Sequence, residues 1–220
     1  CIRDRDIRTI DRKNYYNYPR IYEMLDSIQP QAIIFSDGGP GCRWVGNEKG
    51  FAGATNWSFL RKGEVHPGYD KNYELQYGHP DGNQWVPAEC DVSIRPGWFY
   101  HPEEDDRVKS PDQLVDLYYR SVGHNATLLL NFPVDRRGLI HPVDSANAVR
   151  FHEMIQQQLK TNLVAGMTPK VSNERGGDFV ASALTDDNFD TYWATEDGVT
   201  TADIEFSFDT PTRMNRMMLQ

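Results

Sequence analysis

The sequence predicts an α/β fold followed by a second, all-β domain, and three observations carry that expectation. Short stretches that are apolar throughout, Ala32-Ile33-Ile34-Phe35 and Thr127-Leu128-Leu129-Leu130, have the form of strands buried on both faces. Segments with helical spacing of apolar residues precede each of them and follow the second, and strands that alternate with helices imply a parallel sheet covered by helices. Near Thr161 the composition changes to Gly166, Pro169, Gly176 and Gly177 and then to short segments rich in Thr, Phe, Asp and Val. The expected boundary divides residues 1–162 from residues 163–220.

The first helix is predicted over Asn14 to Gln29, where Tyr18, Ile21, Tyr22, Leu25 and Ile28 recur at helical spacing before Pro30. The Ala32–Phe35 strand follows and closes in Ser36-Asp37-Gly38-Gly39-Pro40, a glycine-rich loop. Cys90 to Ile94 is a plausible further strand. Ser110-Pro111-Asp112-Gln113 reads as a cap and first turn for a helix through Leu114, Leu117, Tyr118 and Val122, with Gly123 at its end. After the Thr127–Asn131 strand and Pro133, a third helix runs from about Pro142 to Leu159. A β/α barrel and an open doubly wound sheet both satisfy this order. Long polar segments at 36–84 and 95–110 collect the Trp, Tyr, His and Glu residues, and in a barrel such segments form the catalytic face.

Bulk properties narrow the ligand class. The 32 acidic residues outnumber the 23 basic ones for a net charge of -9, which argues against nucleic-acid and membrane-surface partners. Cys1, Cys42 and Cys90 are far apart without CxxC spacing, so neither a zinc site nor a dense disulfide framework is expected. No apolar run approaches the roughly 20 residues of a membrane span. The five Trp and eleven Tyr residues often sit beside Gly, Pro or Asn, where they suit sugar stacking. The sequence lacks an initiator Met and its last stretch, IEFSFDTPTRMNRMMLQ, stops within what reads as alternating strands. It therefore reads as truncated, and the lack of an apolar leader says little about export.

Chemistry concentrates in Gly39-Pro40-Gly41-Cys42-Arg43-Trp44-Val45-Gly46-Asn47-Glu48-Lys49-Gly50. The glycines allow tight turns from which Arg43, Trp44 and Glu48 are expected to project towards a common space. Burial beside an indole raises a carboxyl pKa, as a general acid requires, whereas a guanidinium in contact would lower it. Arg43 therefore serves better by holding a sugar hydroxyl or a partner carboxylate. A loop salt bridge from Arg43 to Glu48, with Trp44 as core, fits the spacing equally well. Glu89 and Asp91, two apart on a strand, fall on one side of it, where Arg95 could pair with them in a supporting role. His66, His79 and His101 lie in loops without metal-ligand spacing.

QPQAIIFSDGGPGCRWVGNEKG resembles a segment of the family 29 α-L-fucosidases, in the subgroup acting on α-1,3 and α-1,4 linkages. PAECDVSIRPGWFYHPEED and SPDQLVDLYYRSVGHNATLLLNFPVDRRGLI resemble later segments of the same family, so the likeness spans about residues 14–160 in family order. It implies the C-terminal half of a (β/α) TIM-like barrel, and a retaining exo-hydrolase that needs no cofactor for catalysis. Its implied partners are fucosylated oligosaccharides or glycoconjugates, in an extracellular or periplasmic setting. Glu48, in the GNE motif, becomes the acid/base; Arg43, Trp44 and Trp98 become substrate-binding residues, Trp98 packing on the fucose methyl. The family's nucleophilic aspartate lies in a strand-ending WFDGA segment that is missing here, which places it upstream of Cys1; Asp4, Asp6 and Asp11 read as solvated. Gly41 stands where relatives usually have Asp, and Cys42 is unusual. A hydrolase of another deoxysugar and a non-catalytic glycan-binding protein are the rival readings. Finally, FVASALTDDNFDTYWATEDGVTTADIEFSFDTP resembles the opening of a coagulation-factor 5/8 type C (discoidin-like) β-sandwich. That resemblance allows a structural calcium ion and makes Trp193 core rather than ligand platform.

Overall fold

A computed structural model describes residue 11 and residues 13–218; Asp4 and Asp6 lie outside the described residues, as does Cys1. The chain forms two compact units, 1–155 and 156–220. The first is mixed α/β around a four-stranded parallel sheet. Its strands are β1 (Phe35–Ser36), β2 (Cys42–Trp44), β5 (Ala88–Ser93) and β6 (Ala126–Asn131), hydrogen-bonded in that order. A small antiparallel hairpin of β3 (Phe59–Leu60) and β4 (Gln84–Trp85) interrupts the long segment between β2 and β5.

Among the described residues, three α-helices accompany the sheet: α1 (Tyr18–Ile28), α2 (Pro111–Ser121) and α3 (Pro142–Gln158). The expected cap of α2 is a full capping box. Ser110 accepts from the Gln113 backbone N–H, and the Gln113 side chain accepts from the Ser110 N–H. The left-handed residue behind this helix is Asn125, at φ 57°, rather than Gly123, which lies in a 3-10 turn. Leu114 and Leu117 of α2 pack with Val92 and Ile94 from the β5 region, and Leu128 and Leu130 of β6 join them. A second cluster joins Val45 and Ala52 to Ala88 and Cys90, and a third lies under the hairpin at Leu60, Val65, Leu75 and Val86.

The sheet departs from expectation in one respect. Strand alternation gives it two unlike faces. Cys90 and Val92 belong to the core, while Phe35 on β1 and Leu129 on β6 are 44% and 42% exposed. The stretch Ala32–Phe35 is thus not a strand buried on both sides, and Ile33 is 78% exposed. An apolar run reports the burial a strand needs; among the described residues only one face receives it.

Arg95, immediately beyond β5, locks the sheet to α3. Its Nε and Nη2 donate to the two carboxylate oxygens of Asp144 at 2.8 Å each, with both side chains wholly buried. Nη1 donates to Asp105 at 2.9 Å, and Tyr100 lies under the guanidinium at 4.7 Å. The expected pairing of Arg95 with Glu89 and Asp91 is therefore replaced by Asp144 and Asp105.

Among its described residues the second unit contains one short antiparallel strand pair, β7 (Lys170–Val171) with β8 (Ile204–Glu205), and a 3-10 turn at Ala181–Leu184. In its Asp-Asp-Asn-Phe-Asp turn, Asp186 accepts from the Thr191 hydroxyl and the Asn188 N–H. Trp193 is partly buried, with its Nε1 enclosed. Among the described residues, the one grouping of three or more acidic, His or Cys side chains close enough to share an ion lies in the first unit.

Candidate active site

The central finding is that Gly41 to Glu48 is not a continuous loop: Cys42, Arg43 and Trp44 form β2. Residues on a strand alternate between faces, so Arg43 and Trp44 point in opposite directions. Trp44 lies on the open face, in register with Glu89, and Arg43 enters the core with no exposure.

The substrate-binding role expected of Arg43 is thereby corrected. Its Nε donates to the Leu75 carbonyl at 3.0 Å, and Nη2 donates to Asn56 Oδ1 at 2.6 Å and to the Trp57 carbonyl at 2.9 Å. Nη1 donates to the Val86 carbonyl. All four acceptors belong to the segment between β2 and β5, so Arg43 staples that long excursion to the sheet. Burial pulls its pKa down to about 10, which leaves it charged at neutral pH. The Arg43–Glu48 loop salt bridge is ruled out by the same geometry.

Beyond β2 the chain turns sharply at Gly46, φ 85°, where an added Cβ would lie 2.1 Å from the Asn72 carbonyl oxygen. Asn47 then accepts from the Lys49 N–H and donates to the Phe51 carbonyl, shaping the turn that carries Glu48. Glu48 projects outward and accepts a hydrogen bond from Nε1 of Trp98 at 2.9 Å. Trp98 comes from the loop beyond β5, and Asn131, at the end of β6, donates to its carbonyl at 3.2 Å. Glu48 and Trp98 thus meet above the C-terminal ends of neighbouring parallel strands, where α/β folds place their sites.

A second indole–carboxylate pair lies within the sheet. Trp44 Nε1 donates to Asp91 Oδ1 at 2.7 Å. Burial is the largest cause raising the Asp91 pKa; the Trp44 bond opposes it, and the charge of Glu48 adds to it. Glu89 is raised too, by burial and then by Asp91. Sequence pattern placed Glu89 and Asp91 on one side of a strand, but nothing in it joined Asp91 to Trp44 or Trp98 to Glu48, pairs separated by 47 and 50 residues.

The histidines stand apart from this site. His79 is buried, with Nδ1 accepting from the Arg61 N–H and Nε2 facing Glu74 at 3.5 Å. His66 contacts the Pro67 carbonyl and the Tyr69 ring, and exposed His101 lies 3.8 Å from Glu103. Glu64, Glu74 and His79 are close enough together to suggest a metal site. The Arg61 bond speaks against it: an Nδ1 that accepts leaves the proton on Nε2, the nitrogen a metal would need. The two carboxylates are met instead by Tyr69, Arg61 and Lys71.

Two clefts, of about 470 Å³ between α1 and the β1 region and about 360 Å³ beside the hairpin, are lined by other residues. Glu48 stands instead on the open side of the sheet, where the chemistry outweighs concavity in marking the site. Among the described residues no helix is long and apolar enough to cross a membrane.

The α-L-fucosidase family model matches residues 4–157. Alpha-L-fucosidase 1 of Arabidopsis thaliana is 40% identical over 190 residues, covering 83% of this chain and 36% of the plant protein. A solved glycoside hydrolase 29 family member from an unknown rumen bacterium is 45% identical at a TM-score of 0.66, over 78% of this chain and 30% of that one. A Ruminococcus gnavus GH29 fucosidase in complex with fucose is 36% identical at a TM-score of 0.65, over 77% of this chain and 35% of its own. The chain thus spans less than half the length of these relatives. With the match extending through the whole parallel sheet and both indole–carboxylate pairs, this chain belongs to the α-L-fucosidase family.

Proposed function

We propose that the protein is a retaining exo-α-L-fucosidase that releases terminal α-1,3- or α-1,4-linked L-fucose from glycans. The observation that carries this reading is the placement of Glu48 with Trp98: a carboxyl group held by an indole N–H at the C-terminal ends of parallel strands. The four strands then belong to the C-terminal half of a (β/α) barrel. Residues 163–220 begin a discoidin-like β-sandwich. We place the activity in an extracellular or periplasmic setting, where such glycans are met.

In this reading Glu48 protonates the departing glycosidic oxygen, while an aspartate attacks the anomeric carbon and forms a covalent fucosyl intermediate. Glu48 then takes a proton from the water that releases fucose. Retaining glycosidases hold their two carboxyl groups about 5 to 5.5 Å apart, which is the separation this reading requires between Glu48 and the attacking aspartate. Trp98 offers a ring face to the apolar side of the sugar, and Trp44 forms a wall of the site.

In the full-length protein, Glu48→Ala is expected to lower turnover of substrates with poor leaving groups by about 10²- to 10⁴-fold. Added azide should restore release from aryl fucosides by trapping the intermediate as a glycosyl azide. Undiminished activity in that variant removes Glu48 from the mechanism. A panel of aryl glycosides separates fucose from other deoxysugars, and glycan binding without turnover would favour a non-catalytic protein.

A further inference from the structure

The bond between Trp98 and Glu48 depends on where the backbone carries Trp98, and a side chain outside that pair sets the position. Trp98 follows Arg95-Pro96-Gly97, and the Arg95 guanidinium is fixed by Asp144 and Asp105. Arg95 therefore holds the base of the loop. Its tip is met by Asn131, the last residue of β6, whose Nδ2 donates to the Trp98 carbonyl at 3.2 Å and to Ser93 Oγ at 3.1 Å.

The Asn131 amide is itself held in place. Ser93 and Asn131 are register partners at the C-terminal ends of β5 and β6, and the Ile94 N–H donates to the Asn131 backbone carbonyl at 3.0 Å. A carbonyl oxygen only accepts, so the NH2 end of the side-chain amide is the end that can face Trp98. Its other hydrogen goes to Ser93 Oγ, which also accepts from the Arg95 N–H at 3.3 Å. Gly97 directly precedes Trp98, so the bond to the Trp98 carbonyl restrains a backbone that glycine leaves free to turn.

We propose that Asn131 is a positioning residue for Glu48, holding the Trp98 backbone so that the indole N–H meets the carboxyl oxygen of the acid/base. The inference rests on the acid/base reading of Glu48. Asn131 acts through Trp98 and transfers no proton to substrate. The Trp98 Nε1 to Glu48 Oε2 bond is 2.9 Å long. A shift of Trp98 by about 1 Å takes it outside hydrogen-bond range. Glu48 then turns away from the geometry in which it protonates the departing oxygen, and reactions with poor leaving groups lose most.

The test uses the full-length protein and two aryl fucosides, one with a good and one with a poor leaving group, with kcat/KM read for each. The ratio of the two values, good over poor, cancels uniform losses in binding or in folded fraction. Asn131→Ala should raise that ratio about tenfold. In a Trp98→Phe background, which lacks the indole N–H, the same change should leave the ratio within about twofold of the background value. An unmoved ratio in Asn131→Ala, or an equal rise in both backgrounds, overturns the proposal. Should Asn131→Ala fail to fold, Ser93→Ala releases the amide from its second acceptor and should raise the ratio about threefold in the parent but not in Trp98→Phe. An unmoved ratio there, or a rise in both, overturns it equally. Glu48→Ala, run in parallel, separates the two claims. If it leaves the ratio unchanged, the acid/base reading itself falls; if it raises the ratio and Asn131→Ala does not, only the role of Asn131 falls.

Discussion

Trp98 Nε1 donates to Glu48 Oε2 at 2.9 Å, joining the loop beyond β2 to the loop beyond β5 across 50 residues of sequence. The bond fixes one carboxyl oxygen, and among the described residues the other has no hydrogen-bond partner, so the exposed Glu48 side chain is oriented without being sealed. Trp98→Phe keeps an aromatic face for a sugar but loses the donor. We expect the variant to melt within a few degrees of the parent and its kcat/KM to fall about 10- to 100-fold on oligosaccharides. Thermal scans and steady-state kinetics check both halves.

Arg43 offers a contrasting outcome. As a buried staple with four acceptors, it should not tolerate replacement by Lys, whose single nitrogen cannot reach the Leu75, Trp57 and Val86 carbonyls together. Arg43→Lys should cost roughly 3 kcal/mol or more. Denaturant unfolding measures that loss, and limited proteolysis should show early cuts between residues 45 and 86. A purely kinetic defect with normal stability would sink the assignment.

Gly46 holds a positive φ with the Asn72 carbonyl pressed against it. Gly46→Ala brings a Cβ into that oxygen, so the turn must move and carry Glu48 with it. Activity should drop at least tenfold, with a loss of about 1–3 kcal/mol in stability. Gly63 also has a positive φ but open space around it, so Gly63→Ala should cost about 1 kcal/mol and leave turnover intact.

Glu89 yields a prediction in pH. Its folded-state pKa is raised by burial and by Asp91. A raised folded value means that its contribution to stability is fully present below the unfolded pKa and is lost as pH rises through the folded one. Glu89→Gln removes that loss, so the variant should melt above the parent at pH 7, by about 2 °C. The difference should vanish near pH 4. Melting curves at the two pH values decide it.

Part of the parallel sheet and all three helices were legible because each has a strong local signal: β6 an apolar run, α2 a capping box, α3 a long helical stretch behind Pro142. β2 was not legible. Three residues framed by Gly41 and Gly46 are too few to show a period, and turn residues dominate the segment. The error about Arg43 follows directly, since a loop imposes no alternation whereas a strand does. Its acceptors are mostly backbone carbonyls, which every residue carries and no composition reveals. Glu48 was singled out by the motif around it, while the pairings of Trp98 and Trp44 depend on strand order. The β3–β4 hairpin stayed hidden because each strand is only two residues long.

The opposed directions of Arg43 and Trp44 make chain length, more than side-chain identity, the constraint on this segment. A deletion or insertion of one residue within 39–42 would shift β2 by a single step against β5 and exchange the two faces. The guanidinium would then stand among Glu89 and Asp91, while an indole would be forced under the hairpin. Substitutions in this turn cost what each side chain costs. An altered residue count would cost the interior and the proposed site together.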